Sequence, residues 1–142
     1  MSLTDDDRAF LDANHSAAMI TIGSDGMAKV ARVAVTLVDG LLWSSGREDR
    51  VRTARLRRDP RCTLFAFDQG YGWRGLETAV TILDGPDVPA QSVRLFRQMQ
   101  GKPDGPLSWF GNELDEEAFL RTMVDEGRVI YEFDVRRSYG LG

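Results

Sequence analysis

The residue types best suited to chemistry in this chain are concentrated between Ser44 and Arg61. Two serines and a glycine, Ser44, Ser45 and Gly46, lead into seven arginines within the fifteen residues from Arg47 to Arg61. Against Glu48, Asp49 and Asp59 that stretch carries a local charge of +4, in a chain whose net charge is −4. The remainder is therefore at −8, with 11 basic and 19 acidic residues. Such a stretch reads in two ways. It is a solvated helix face, as charge runs usually are, or it is an anion site. Helix polarity separates the arginines. Arg50 and Arg52 fall in the first helical turn, where cations oppose the helix dipole, an arrangement that a bound anion would compensate. Arg55, Arg57 and Arg58 fall at the helix end, where cations suit the dipole. Ser44, Ser45 and Gly46 add hydroxyl donors and a close backbone approach. A phosphate is the natural ligand for such a set.

Other candidates are less specific. Lys29 and Arg32 interrupt a strand-like run in which Val30, Arg32, Ala34 and Thr36 share one face, and Ala31, Val33, Val35 and Leu37 share the other. The run is either half-exposed or presents a polar backbone edge to a flat cofactor. Tyr71, Trp73, Trp109 and Phe110 could stack on a ring or serve core and interface. Glu77 interrupts a strand and is ordinary if Arg74 pairs with it. The single histidine, His15, and the single cysteine, Cys62, read as structural.

The elements that must carry these residues follow from pattern. Thr4 caps a helix through Asp5, Asp6 and Asp7 that ends near His15. A short apolar run, Ala17 to Ile22, turns at Ser24-Asp-Gly26 into a β-rich run from Ala28 to Val38. Asp39-Gly40 is a hairpin turn, and Leu41 to Ser45 is the return strand. The arginine helix stops at Asp59-Pro60, and Arg61 to Asp68 starts the next strand. Trp73 to Leu83 is another strand. Helices are expected at Val88–Met99 and Leu114–Asp125, separated by the loop Gly101-Lys-Pro-Asp-Gly-Pro106, with a final strand at Arg128–Val135. The sum is one domain, residues 1–142, of class α+β. It has about six mostly antiparallel strands closed as a small barrel and three or four peripheral helices.

Composition narrows the function. Hydrophobic residues make up 42% and charged residues 28%, as in an ordinary globular domain. A nucleic-acid partner would favour a basic face over a whole domain, and the overall acidity argues against it. One cysteine allows no intrachain disulfide, and one Cys with one His makes a zinc site within the chain untenable. No apolar run is long enough to span a bilayer and no signal pattern is visible, so a cytoplasmic location with no membrane partner is expected. No Gly-x-Gly-x-x-Gly, Gly-Lys-Ser/Thr or Gly-x-Ser-x-Gly element occurs. Hard chemistry is expected to come from a cofactor.

Arg50-Val-Arg52-Thr-Ala-Arg-Leu-Arg-Arg-Asp-Pro60, followed by Cys62-Thr-Leu-Phe, resembles the strand-to-helix segment of the pyridoxamine-5'-phosphate-oxidase-like, FMN-binding split-barrel proteins. Gly72-Trp73, the run from Met123 to Tyr131 and Ser138-Tyr-Gly-Leu141 extend the resemblance over nearly the whole chain. The chain is most similar to the branch that uses the deazaflavin coenzyme F-420. The resemblance implies a split β-barrel homodimer with cofactor sites at the dimer interface. Arg50 and Arg52 would grip the cofactor phosphate, with Ser44, Ser45 and Gly46 beside it. Ala31, Arg32, Val33, Ala34, Val35 and Thr36 would line the ring with their backbone, and Trp73 and Glu77 would lie near the pocket. The second basic position, often Lys in relatives, is Arg52 here. The C-terminal Arg/Trp substrate motif of true pyridoxamine-phosphate oxidases is missing, so vitamin B6 oxidation is not implied.

The function expected on this basis is hydride transfer between coenzyme F-420 and a small conjugated organic substrate. No side-chain acid is evident, and a solvent proton or Tyr71 would serve. FMN in the same site is one alternative. A flavin- or haem-binding protein without turnover is another.

Overall fold

The computed structural model describes residues 3–142 as nine strands and four helices. In chain order these are α1 (Asp5–Ala13), β1 (Ser16–Ile22), β2 (Ala28–Ala34), β3 (Thr36–Val38), β4 (Leu41–Arg47), α2 (Val51–Arg58), β5 (Arg61–Phe67), β6 (Trp73–Leu83), α3 (Val88–Gln100), β7 (Leu107–Trp109), β8 (Asn112–Leu114), α4 (Glu116–Asp125) and β9 (Arg128–Leu141). Seven strands form one antiparallel sheet in the order β2-β1-β5-β6-β9-β4-β3, and β7 and β8 form a separate hairpin. The class is α+β, as the pattern predicts, with more strands than the six expected.

Local chemistry accounts for the boundaries. Thr4 Oγ1 accepts from the Asp7 amide and Asp7 accepts from the Thr4 amide, a capping box that fixes the start of α1. Asp39 and Gly40 both have positive φ, at 49° and 79°, and close the β3–β4 hairpin. Gly101, with φ 64°, ends α3 in the left-handed conformation.

The topology dictates closure. β2 and β3 are the two edges of the sheet, yet one residue, Val35, joins them. The sheet must curl until its edges meet there. His15 pins the junction: its carbonyl accepts from the Val35 amide at 2.8 Å, and its Nδ1 donates to the Val35 carbonyl at 3.0 Å. His15 is structural.

The barrel interior is filled by Leu11, Met19, Val33, Leu42, Leu64, Leu76, Tyr131 and Phe133, among others. β4 and β9 are covered on their other face too, where α3 packs through Val88 and Leu95 on Val38, Trp43 and Ile130. α4 adds a third cluster with Val93, Leu107, Phe119 and Met123.

Four expectations are corrected. The β-rich run from Ala28 to Val38 is two strands, because the chain bends at Val35 to pass between sheet edges. Thr36 does not continue the exposed face of Val30, Arg32 and Ala34; Thr36, Leu37 and Val38 are all buried, since α3 covers β3 from outside. Leu114 belongs to β8, and the helix starts at Glu116 behind an Asp115 cap. The last strand runs on from Val135 to Leu141, because β6 offers it a partner along its full length.

Candidate functional site

The closure at Val35 leaves a gap. Thr36 pairs with Trp43, and continuing that register would set Val35 against Ser44 and Ala34 against Ser45. The ladder stops instead, because β2 turns away to pair with β1. The strands remain close, with β2 and β4 still in contact. Val33, Ala34 and Val35 thus lie toward Ser44, Ser45 and Gly46 across a seam bonded by no ladder, with Thr36 at its paired end and Ala31 and Arg32 where β2 diverges. Arg50 and Arg52 follow at the start of α2, four and six residues after Gly46.

The polar atoms along this seam lack partners. Ser44 Oγ, Ser45 Oγ, Arg47 Nε, Arg52 Nε and Thr36 Oγ1 are buried and make no hydrogen bond among the described residues. Such groups are costly unless something else satisfies them. The start of α2 shows the same deficit. Arg50 is its N-cap and makes no side-chain cap bond, and the first turn holds no acid. By contrast Arg57 binds Glu48 at 2.7 Å and Asp84 at 3.1 Å, and Arg58 donates to the Ile22 carbonyl at 2.9 Å. Those two arginines serve structure, as their place at the helix end suggests. A shallow cavity between the β1–β2 turn and α2, lined partly by Lys29, Arg55 and Arg58, extends the basic surface.

Two residues fix the geometry of the seam. Tyr131, fully buried, lies across Gly46, where any Cβ would collide with its ring. Its hydroxyl contacts Thr53 Oγ1, which also donates to the Arg47 carbonyl at 2.6 Å. Thr53 is the third residue of α2. The helix start is therefore tied to the end of β4 and to the barrel core. Gly46 is required for this packing, whatever else approaches it.

Trp73 and Glu77 lie elsewhere. Trp73 pairs with Leu141 at one end of β9, while Ser45 pairs with Ile130 near the other. Eleven residues of strand separate those positions, about 36 Å of path at the usual rise. Within one chain Trp73 and the Ser44–Arg52 cluster do not meet. Trp73 joins Phe65, Phe67 and Tyr139 in an aromatic group on the outside of the sheet. Glu77 stands on the same face between Thr63 and Arg137, beside a bulge. Arg74 is not its partner. Arg74 instead binds Asp7 at 2.9 Å, reaches the carbonyls of Leu141 and Gly142, and stacks over Phe10. Val30, Ile22 and Leu141 are exposed as well.

Solved structures share this architecture. A conserved hypothetical protein from Mycobacterium tuberculosis superposes with a TM-score of 0.71 at 20% identity, covering 99% of this chain and 85% of that one. An F420 reductase gives 0.69 at 16% identity, with 93% and 94% covered. A Listeria innocua protein of the pyridoxamine 5'-phosphate oxidase type gives 0.64 at 8% identity, with 94% and 93% covered. The fold is the split β-barrel of the pyridoxamine-phosphate-oxidase-like proteins. No family model and no curated protein matches the sequence. In split-barrel terms, the seam between β2 and β4 is the split.

Sequence reasoning left out Arg47, Thr53, Tyr131 and Arg128 as site residues. Arg47 ends β4, and Arg128 is its cross-strand neighbour on β9. Glu126 holds Arg128 at 2.7 Å and accepts from Trp109 Nε1 at 3.0 Å. Burial raises the Glu126 carboxyl, and the bonds from Arg128 and Trp109 more than offset this, leaving its pKa below the ordinary value. The only local signal for this cluster was the sequence Glu126-Gly-Arg128 at the start of a strand. Cys62 is buried, and desolvation pushes its thiol up to about 12, which makes it inert. Among the described residues no helix is long and apolar enough to cross a membrane, and no group of three or more His, Cys, Asp or Glu is placed to hold a metal ion.

Proposed function

We propose that this chain is an oxidoreductase that binds the deazaflavin coenzyme F-420 at the split and transfers a hydride between it and a small conjugated organic substrate. One observation carries the reading. The end of β4 and the start of α2 carry buried donors with no partner, Ser44 on the inner face of β4, Ser45 and Arg47 on its outer face, and Arg52 on α2, beside an uncapped helix start led by Arg50. That set matches what a phosphate diester or monoester needs: charge, several N–H and O–H donors, and a dry site. The resemblance of the Arg50–Pro60 segment to deazaflavin-using relatives, and the structural likeness to an F420 reductase, point to the same cofactor class.

In this reading Arg50 and Arg52 hold the phosphate, with Ser44, Ser45 and Gly46 beside it. The backbone from Ala31 to Thr36, freed from pairing by the split, lies along the ring. The bound deazaflavin supplies the hydride. The protein supplies orientation, a water-poor wall and positive charge near the developing negative charge of the acceptor. No side chain in the split is an evident proton donor. Tyr71 is 93% exposed in a loop, so solvent is the simpler source.

The exposed aromatic face formed by Phe65, Phe67, Trp73 and Tyr139 is assigned to a second copy of the chain. In a homodimer, Trp73 and Glu77 would serve the site of the facing protomer, which reconciles their distance from the phosphate grip on their own chain.

Titration of the purified protein with coenzyme F-420 and with FMN, followed by fluorescence, tests the reading. Saturable F-420 binding, with FMN weaker, is expected. A yellow flavin spectrum surviving purification assigns the split to FMN instead. Binding of neither removes the proposal. Sedimentation at the mass of two chains is expected in the same samples.

A further inference from the structure

The β7–β8 hairpin contains a conformational oddity. Its two-residue turn is Phe110-Gly111, and both residues are in the left-handed region, with φ of 47° and 83°. Glycine and asparagine adopt that conformation readily. A bulky aromatic does so only against steric resistance, and such strain gathers at functional positions. Burial does not compensate it here, because Phe110 is 83% exposed. A folding role would put the ring inside. A passive turn would use a smaller residue.

The ring is nonetheless held in a defined place. It stands edge-on to Trp109, with centroids 5.1 Å apart. Trp109 is fixed by the bond to Glu126, by Arg128 stacked 4.8 Å over its ring, and by edge contacts with Phe96 and Phe119. Gln100 anchors the hairpin through two bonds of 2.9 Å to the Ser108 backbone. The anchored hairpin thus presents the exposed Phe110 ring beside a fixed Trp109.

The hairpin leads to the split. Arg128 beneath Trp109 is the direct cross-strand neighbour of Arg47. Ser45 and Arg47 alternate with the inward Ser44 and Gly46, so they face the same side as Arg128. Both carry a buried polar atom without a partner. A chain of neighbours thus links Arg47 at the end of β4, through Arg128 and Trp109, to the exposed ring of Phe110.

We propose that Phe110 contacts the substrate and determines its specificity, offering its ring to a planar, conjugated acceptor seated at the mouth of the split. This rests on the reading of the split as a deazaflavin site. The backbone strain at Phe110 is retained because the ring must project there. No other aromatic side chain of the hairpin tip is exposed enough to do so.

The test compares the wild-type protein with Phe110→Asn and Phe110→Tyr, using menadione as the probe acceptor. Asn fits the left-handed turn, so Phe110→Asn is expected to raise Tm. Deazaflavin affinity is expected to stay within about twofold. Menadione KM, and menadione Kd for the protein loaded with oxidised deazaflavin, are expected to rise about tenfold, the scale of one aromatic contact. Phe110→Tyr is expected to restore both. A raised Tm with unchanged menadione affinity overturns the proposal while leaving the cofactor reading intact. A lowered Tm shows the ring to be structural and also overturns it. A shift of Phe110→Asn to monomers in sedimentation makes the tip a subunit contact and overturns it equally. Failure of the wild-type protein to bind deazaflavin removes the cofactor reading and this proposal with it.

Discussion

Two arginine environments at opposite ends of the sheet show how this protein uses positive charge. Arg74 is buried among partners, with Asp7, three carbonyl oxygens and the Phe10 ring using its whole guanidinium. It ties α1, β6 and the end of β9 into one unit. Arg52, at the split, keeps a buried Nε that nothing among the described residues accepts from, and Arg47 keeps another even though its Nη2 binds Asp49 at 3.1 Å. The first arrangement is complete in the folded chain. The second is complete only with something added. The difference separates a cation that holds the fold from cations that await an anion.

Removing one partner on each side tests this contrast most severely. Asp7→Asn leaves the Arg74 charge buried and unpaired, and a loss of about 3–5 kcal/mol of folding stability is expected in denaturant unfolding. Arg50→Ala with Arg52→Ala is expected to cost about 2–4 kcal/mol of deazaflavin affinity by titration. Its unfolding midpoint is expected to hold or rise slightly, because two cations leave the positive end of a helix. Destabilisation by that pair would place them with Arg74 as structural cations.

Acid should distinguish the same two sites. Burial raises the Asp7 carboxyl, but the amide of Thr4, Ser138, Arg74 and the Thr4 hydroxyl together overcome it, so its folded pKa lies below the ordinary aspartate value. A depressed carboxylate contributes stability above its unfolded pKa and loses that contribution as pH falls through the folded pKa. Stability is therefore expected to drop below about pH 4 in the wild type. In Asp7→Asn the drop is expected to be shallower, read by urea midpoints across the acid range. Last and smallest, Cys62 is expected to stay unreacted with a thiol reagent at about pH 8 under native conditions and to react once unfolded. Its buried thiol, pushed up to about 12, has almost no thiolate to offer.

Much of the fold was legible because the signals were local. Asp39-Gly40, Asp59-Pro60 and the alternation from Trp73 to Leu83 mark their own turns and strands. The β7–β8 hairpin was not legible, since three-residue strands have no period and Leu114 also fits the apolar stripe of the helix after it. The burial of Thr36 depends on α3, more than fifty residues later in the chain. At the candidate site, helix polarity alone separated Arg50 and Arg52 from Arg57 and Arg58. The role of Gly46 was legible only in part, because the ring that crosses it belongs to Tyr131 on a distant strand. The separation of Trp73 from the arginine cluster follows from strand order, which no local pattern encodes.

Strand β9 is translated after the other eight strands, yet it lies between β6 and β4 and joins the two halves of the sheet. Until it arrives, the β2-β1-β5-β6 meander and the β3–β4 hairpin each carry an open edge with no neighbour. The barrel interior lacks Tyr131 and Phe133, and α2 has no Tyr131 hydroxyl to anchor its start. Cooperative folding must therefore wait for β9, and while the segment from α3 to α4 is being made the nascent chain carries two half-sheets vulnerable to pairing with the wrong partner.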